Sequence, residues 1–234
     1  MATKEDFLNG KVLLFNKDKD WTSFDLVNKA RYIIRNKFDI KKIKVGHAGT
    51  LDPLATGLVI VCTGKETKKI NQYQDADKTY LTTITFGATT PSFDLETEPD
   101  KTYPYQHITK EKLEKAIASL TGEIEQIPPA YSAIHVNGQR AYQAARKGEN
   151  PKLKARKVQV YKMKILDFNL PDIKLEINCG KGTYIRAIAR DLGKELQSGA
   201  HLKQLERTTI GSYNITNAIS IKEFENQLIN DKIN

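Results

Sequence analysis

The sequence predicts an α+β protein, mixed α/β in content, built on a mixed or antiparallel sheet with helices beside it. Three observations lead there. Candidate strands outnumber candidate helices, and several are joined by short turns such as Leu170-Pro171-Asp172 and Asn137-Gly138. The chain has 234 residues, of which 39% are hydrophobic, enough to bury a sizeable core.

The elements follow in order. Lys11 to Phe15 reads as a short strand. Thr22 opens a helix, with Asp25 three residues on completing a capping box and Phe24, Val27 and Ile34 as its apolar stripe. Val45 to Gly57, rich in glycine, reads as a long structured loop of the kind that carries function. Leu58 to Cys62 is a buried strand and Lys65 to Gln74 a polar helix. Lys78 to Gly87 alternates, with Tyr80, Thr82, Ile84 and Phe86 on one face of a half-buried strand. Thr89 to Pro104 is loop, after which Thr109 caps a helix with the stripe Leu113, Ala116, Ile117 and Leu120. Pro128-Pro129 excludes a central strand there. Val158 to Cys179 holds two strands, the second alternating through Ile173, Leu175, Ile177 and Cys179. A helix follows, with Ile185, Ile188 or Ala189, Leu192 and Leu196 inward and Arg186 and Arg190 on another face. Ser220 and Glu223 start a last helix carrying Ile221, Phe224 and Leu228.

Composition excludes several classes. The longest apolar run, Leu58 to Cys62, is far short of a membrane span, and the acidic start of the chain is no secretory signal. Two cysteines, Cys62 and Cys179, and four histidines supply neither a disulfide framework nor zinc-type spacing. The expectation is a soluble cytoplasmic protein with buried thiols and no metal. With 37 Lys+Arg against 28 Asp+Glu, the net charge is +9. The basic residues cluster at Lys41, Lys42 and Lys44, at Lys65, Lys68 and Lys69, and at Lys152, Lys154, Arg156 and Lys157. Tyr73, Tyr80, Tyr131, Tyr142 and Tyr184 fall between them, a mixture that suits phosphate contacts with base stacking; solvated surface lysines fit the same counts.

Asp52 is the sharpest chemical candidate. It ends the run Gly46-His47-Ala48-Gly49-Thr50-Leu51-Asp52, and Pro53 restricts its backbone. A carboxylate so restrained suits attack or proton transfer at one spot, and equally suits a turn before proline. His47 fits a base, a phosphate donor or a packing residue. No Gly-Lys-Ser/Thr closes the loop, so it is not a phosphate cradle. Gly182-Thr183-Tyr184-Ile185-Arg186 sits at a strand-to-helix junction, where Arg186 fits either a bidentate partner of a buried carboxylate or a surface arginine. Lys78 and Tyr80 fit a stacking ring or a core tyrosine.

Taken in order, Trp21-Thr22-Ser23-Phe24, Gly46-His47 to Gly57, Lys78-Thr79-Tyr80, Pro128-Pro129-Ala130-Tyr131-Ser132-Ala133, Gly182 to Arg186 and His201-Leu202 to Thr208 resemble the TruB family of pseudouridine synthases. That family isomerises uridine 55 in the T-loop of tRNA. The resemblance spans roughly residues 10–212 and implies the pseudouridine synthase fold, with a tRNA-gripping insertion at about 123–157. It implies a catalytic domain over 1–212 and a short helical tail over 213–234 in place of the PUA domain that many relatives carry. Asp52 matches the essential aspartate and Tyr80 the tyrosine that stacks on the target base. Tyr184 and Arg186 match residues lining the pocket, Arg186 bridging to the aspartate; Leu205 matches an apolar wall and His47 a histidine touching the RNA loop. The lysine and arginine clusters Lys65, Lys68, Lys69 and Lys152, Lys154, Arg156, Lys157 are the backbone-contact candidates. The reaction needs no cofactor and no metal, and the partner implied is the T-arm of tRNA, bound by a monomer. The stretch Thr89 to Asp94 keeps the family's threonine and aspartate but lacks its usual closing glycine, with Thr97 near that place, and takes no catalytic role here. The alternatives are a synthase for another structured RNA and a tRNA-binding or folding protein.

Overall fold

A computed structural model describes residues 2–136, 138–149 and 151–230. Asn137 of the Asn-Gly turn, Asn150 of the expected insertion and residues 231–234 of the expected tail lie outside the described residues. In chain order the elements are α1 (Lys4–Asn9), β1 (Val12–Lys17), α2 (Ser23–Phe38), β2 (Val45–His47) and β3 (Thr56–Thr63). A 3-10 segment, Gly64–Lys69, leads into α3 (Ile70–Asp75), β4 (Lys78–Phe86), β5 (Ala88–Thr89), β6 (Lys101–Thr102), α4 (Lys110–Ser119) and β7 (Gly122–Gln126). Then come β8 (His135–Val136), β9 (Gln139–Arg140), α5 (Ala141–Arg146), β10 (Arg156–Asn169), β11 (Asp172–Cys179) and α6 (Ile185–Glu195). The last are β12 (Ala200–Ile210), β13 (Tyr213–Asn214) and α7 (Ile221–Asn230). The fold is mixed α/β, as the sequence predicts.

The chain divides into two compact units, residues 1–80 with 206–234 and residues 81–205. It leaves the first within β4 and re-enters it within β12. In the first unit β3 is buried along almost its whole length, as a continuous apolar run requires. β1 runs antiparallel to it from Val12↔Cys62 to Lys17↔Gly57, and β2 antiparallel from Val45↔Thr63 to His47↔Val61. β12 runs parallel to it at Glu206↔Thr56 and Arg207↔Gly57. That approach demands glycine: Gly57 has φ +109, and a Cβ there would lie 2.4 Å from the Arg207 carbonyl oxygen. Ala48, Leu58, Ile60, Cys62 and Ile210 form the core, covered by Val12, Leu14, Ile70, Tyr73 and Tyr213. On α7, Phe224 meets the Phe15 ring edge-on at 5.2 Å, a pairing that adds about 1 kcal/mol to the area it buries.

The helix starts follow their sequence signals. Thr22 Oγ1 accepts from Asp25 N at 3.0 Å while Asp25 Oδ2 accepts from Thr22 N, also at 3.0 Å. Ser220 and Glu223 make the same reciprocal pair before α7, whose Ile221, Phe224 and Leu228 are all buried.

In the second unit the strand order is β12-β4-β11-β10-β7. β10 and β11 are antiparallel across the Leu170-Pro171 turn, and β7 pairs β10 from Arg156↔Gln126 to Val160↔Gly122. α6 leaves β11 through Gly180–Thr183 and buries Ile185, Ala187, Ile188, Ala189 and Leu192.

Five expectations need correction. Phe24 is 64% exposed; the buried face of α2 is Leu26, Val27, Ala30, Ile33 and Ile34, and Phe24 points about 120° away from its centre at 100° per residue. The stretch Val45 to Gly57 is loop only from Ala48 to Ala55, because Val45–His47 pairs with β3. The polar helix over Lys65 to Gln74 is two pieces, 3-10 and then α. The stretch Thr89 to Pro104 is not wholly loop, because β5 and β6 pair antiparallel at Ala88↔Thr102 and Thr89↔Lys101. β12, eleven residues long and not anticipated, has no clean alternation to announce it, since Arg207 is buried among the charges that break the pattern.

Candidate active site

In the first unit the Ala48–Ala55 loop is held to the sheet at both ends. Ala48 N donates to Ile60 O at 2.9 Å, the last rung of the β2–β3 ladder. Gly49, at φ +95, then turns the chain away. The buried guanidinium of Arg207 reaches under the loop. Its Nε donates to Leu58 O at 2.8 Å, its Nη2 to Gly49 O at 3.2 Å and its Nη1 to Thr50 O at 3.5 Å.

Asp52 is half-buried, and hydrogen bonds hold the backbone before and after it. Ser23, buried at the start of α2, accepts from Leu51 N at 2.9 Å and donates to Leu51 O at 3.2 Å. Asp52 O accepts from Ala55 N at 3.1 Å, closing a β-turn with Pro53 at its second position, where proline's fixed φ is favourable. Pro53 O in turn accepts from Asp20 N at 2.8 Å and from Lys17 Nζ at 3.3 Å. The turn reading and the chemical reading of Asp52 are thus compatible: its backbone makes the turn and its side chain is presented by it.

Lys17 is 1% exposed, with its ammonium also donating to Asp18 O at 2.9 Å and Trp21 O at 2.6 Å. Burial pushes its pKa down to about 8, against the pull of the Asp52, Asp18 and Asp20 carboxylates. The ammonium is therefore a positive charge in the electrostatic field of Asp52 at neutral pH. His47 is half-buried, and Nδ1 has no hydrogen-bond partner among the described residues. Burial holds its pKa below the ordinary imidazole value; a Gly49 backbone hydrogen bond opposes this and the Arg207 charge adds to it. The ring is neutral near pH 7. Tyr80 is buried on β4, and Thr208 Oγ1 of β12 bonds the preceding carbonyl, Thr79 O, at 3.2 Å. The Lys78 ammonium is bound by the Gln74 and Ala76 carbonyls.

In the second unit Tyr184 is the N-cap of α6 and Arg186, two residues on, lies in its first turn. Arg186 is 3% exposed, which removes the surface-arginine reading. Its Nε lies 3.5 Å from Asp94 Oδ2, its Nη1 donates to Ser92 O at 3.2 Å and its Nη2 to Tyr131 O at 2.9 Å. The Thr89 to Asp94 stretch is thus the seat of a buried ion pair. Thr90 Oγ1 and Ser92 Oγ both donate to Asp94 O, at 2.6 and 3.2 Å, and Asp94 Oδ1 accepts from Glu96 N at 3.0 Å. Where a closing glycine was expected, Thr97 Oγ1 accepts from Ser92 N at 3.1 Å and ties the loop shut. Phe93 takes φ +64, a strained value for a bulky residue, and Leu202 N donates to its carbonyl. Leu205 is half-buried on β12.

One polar residue that no sequence pattern singles out belongs here. Gln126 is 1% exposed and bonds both backbone groups of Tyr184. Asp94, the aspartate of the Thr89 to Asp94 motif, is the carboxylate that faces Arg186. Of the basic candidates, Lys65, Lys68, Lys69, Lys152, Lys154, Arg156 and Lys157 are all exposed. Lys69 pairs with the half-buried Glu66 at 3.0 Å and Lys157 with the exposed Glu123 at 2.8 Å, surface pairs of the kind that contribute little to stability. Cys62 and Cys179 are buried and in no disulfide, as expected. Among the described residues no group of three or more His, Cys, Asp or Glu is placed to hold a metal ion, and no helix is long and apolar enough to cross a membrane.

Residues 35–185 match the family model for the TruB family pseudouridylate synthase N-terminal domain, and residues 186–233 that for the tRNA pseudouridylate synthase B C-terminal domain. A protein of Phocaeicola vulgatus named tRNA pseudouridine synthase B is 53% identical over 228 residues, which cover 97% of each chain. One of that name from Flavobacterium johnsoniae is 49% identical over 97% of this chain and 99% of its own. One from Francisella tularensis is 39% identical, and the match spans 97% of this chain and 73% of that protein. Among solved structures, the crystal structure of a Cbf5-Nop10-Gar1 complex contains a chain similar to 99% of this one, with a TM-score of 0.74 and 22% identity. This chain spans 58% of that one, and the likeness is one of fold.

Proposed function

Since the chain belongs to the TruB family of pseudouridylate synthases, which are isomerases, we infer that it converts uridine 55 in the T-loop of tRNA to pseudouridine, with Asp52 as its catalytic group. The observation that carries the role of Asp52 is the fixation of its backbone from Leu51 to Ala55 by Ser23, Asp20, Lys17 and its own turn. A group that must meet one atom of a bound nucleoside gains most from such restraint.

The target base lies inside a folded loop and must be flipped out before reaction. The N1–C1′ bond then breaks, the uracil turns, C5 bonds to C1′, the C5 proton leaves and N1 gains a proton. The sum is an isomer, with no electrons exchanged. Asp52 supplies the carboxylate that assists this exchange. In this reading Tyr80 stacks on the flipped base, Tyr184 and Leu205 wall it, and Arg186, anchored by Asp94, borders it. These groups exclude water, so that a base freed from its sugar is recaptured rather than lost. His47, neutral near pH 7, contacts the RNA loop, and the exposed lysine and arginine clusters grip phosphates. The protein acts as a monomer in the cytoplasm on the T-arm of tRNA.

The test is incubation of purified protein with unmodified tRNA transcript, followed by mapping of pseudouridine at nucleotide resolution. The wild type forms product at position 55. Asp52→Asn forms none, with tRNA affinity within about threefold, under 1 kcal/mol of binding free energy. Product in another structured RNA but not in tRNA, or comparable turnover by Asp52→Asn, would overturn the assignment.

A further inference from the structure

Among the described residues the carboxamide of Gln126 pairs with Tyr184 alone, and at both ends. Its Oε1 accepts from Tyr184 N at 2.8 Å and its Nε2 donates to Tyr184 O at 3.2 Å. It thereby stands in for a peptide group of a neighbouring strand. Gln126 is the last residue of β7, and its backbone position is set by the Arg156↔Gln126 register with β10. At 1% exposure neither end of the amide has water as an alternative partner.

Tyr184 needs such a hold. As the N-cap of α6 it has extended backbone angles, φ −97 and ψ 112, and no side-chain cap of its own. Its carbonyl takes the first helical bond, from Ile188 N at 3.1 Å, but an N-cap N–H lies outside the helical ladder. Gln126 Oε1 is the acceptor that N–H meets. The following residues are tied to the same helix: Arg190 Nη1 donates to Ile127 O at 2.9 Å and Arg186 Nη2 to Tyr131 O at 2.9 Å. Gln126 is therefore the first of three anchors between α6 and the segment leaving β7.

We propose that Gln126 is a positioning residue for the reaction, fixing the peptide of Tyr184 so that its ring is held in place against the flipped base. This rests on the reading in which Tyr184 borders that base. Gln126 does not touch the nucleoside; it acts through Tyr184. Loss of both bonds frees the N-cap peptide to rotate, and a displacement of about 1 Å in a catalytic constellation costs up to a hundredfold in rate.

Gln126→Met keeps the length and apolar stem and removes both bonds. Single-turnover rates at saturating tRNA are measured for the wild type, Gln126→Met, Tyr184→Ala and the double variant, together with tRNA affinity. Gln126→Met is expected to be roughly ten- to a hundredfold slower with affinity changed less than about threefold. In the Tyr184→Ala background the same substitution is expected to slow the reaction no further, since the group through which it acts is gone. A merely structural role predicts an equal slowing in both backgrounds. A Gln126→Met rate near wild type, or equal slowing in both backgrounds, would overturn the proposal. Should Gln126→Met not fold, Gln126→Glu, which keeps the shape and the acceptor for Tyr184 N, enters the same cycle. A Tyr184→Ala enzyme with full activity would bring down the underlying reading and this proposal together. A slow Tyr184→Ala with a fast Gln126→Met would bring down this proposal alone.

Discussion

Arg207 is the residue whose removal the structure prices most directly. Its side chain is 1% exposed and donates to three carbonyls, of Leu58, Gly49 and Thr50. Arg207→Met retains the buried stem and deletes the guanidinium. Counting only the bonds at 2.8 and 3.2 Å, each buried acceptor left without a partner costs about 1–3 kcal/mol, and relief of the buried charge returns part of that. The expected net loss is about 3 kcal/mol, a large share of the roughly 5–15 kcal/mol typical of a folded domain. Arg207→Lys, with one compact ammonium reaching fewer carbonyls, is expected to lose about half as much. The assay is equilibrium unfolding in urea followed by tryptophan fluorescence. The single tryptophan, Trp21, belongs to the same unit as Arg207, and its carbonyl is bound by Lys17. At a slope of about 2 kcal/mol per molar urea, the midpoint falls by roughly 1.5 M. Amide exchange at Thr50 and Leu51 should quicken, and turnover should fall as the Asp52 loop loses its support. A midpoint within about 0.3 M of wild type would refute the reasoning, because it would mean that the three carbonyls find other partners at no cost.

Two further predictions concern charge. Asp94→Ala leaves the Arg186 guanidinium buried beside two carbonyls without this carboxylate, and is expected to cost about 3 kcal/mol. Asp94→Asn, which keeps an acceptor for Glu96 N, should cost less; equal unfolding midpoints for Asp94→Ala and wild type would remove the ion pair from the stability account. His47 titrates below the ordinary imidazole value of 6.5. The unfolded chain therefore binds a proton first as pH drops, so stability is unaffected above about pH 6.5 and declines as pH falls from there toward the folded value. His47→Gln should remove that share of the decline, which unfolding midpoints measured from pH 7 to pH 5 will show; an unchanged pH dependence would place the ring's titration elsewhere.

How much was legible in advance differs element by element. The capping signals at Thr22, Thr109 and Ser220 lie within three residues of the groups they bond, so the helix starts could be read directly. The alternation of β4 and β11 is imposed by the pleat and was equally plain. Phe24 misled because an apolar residue near a helix start was assigned to the stripe, although the angle at which it leaves the helix puts it outside. β12 went unseen because its buried members include Arg207, whose burial depends on carbonyls far away in the chain. Around the candidate site, Asp52, Tyr184 and Arg186 stood out by their motifs. The bonds that hold them did not: Ser23, itself within a motif, bonds a residue 28 positions away and Gln126 one 58 away.

What the sequence by itself determined is the kind of element at most stretches, the family, and the residues eligible for chemistry. Local backbone geometry sets the periods of two and about 3.6 residues, and these leave a record within any short window. Only the tertiary structure decided which polar groups are buried and what they hold. Lys17, Gln126, Arg186 and Arg207 are affordable in a dry interior solely because carbonyls and carboxylates from distant segments converge on them.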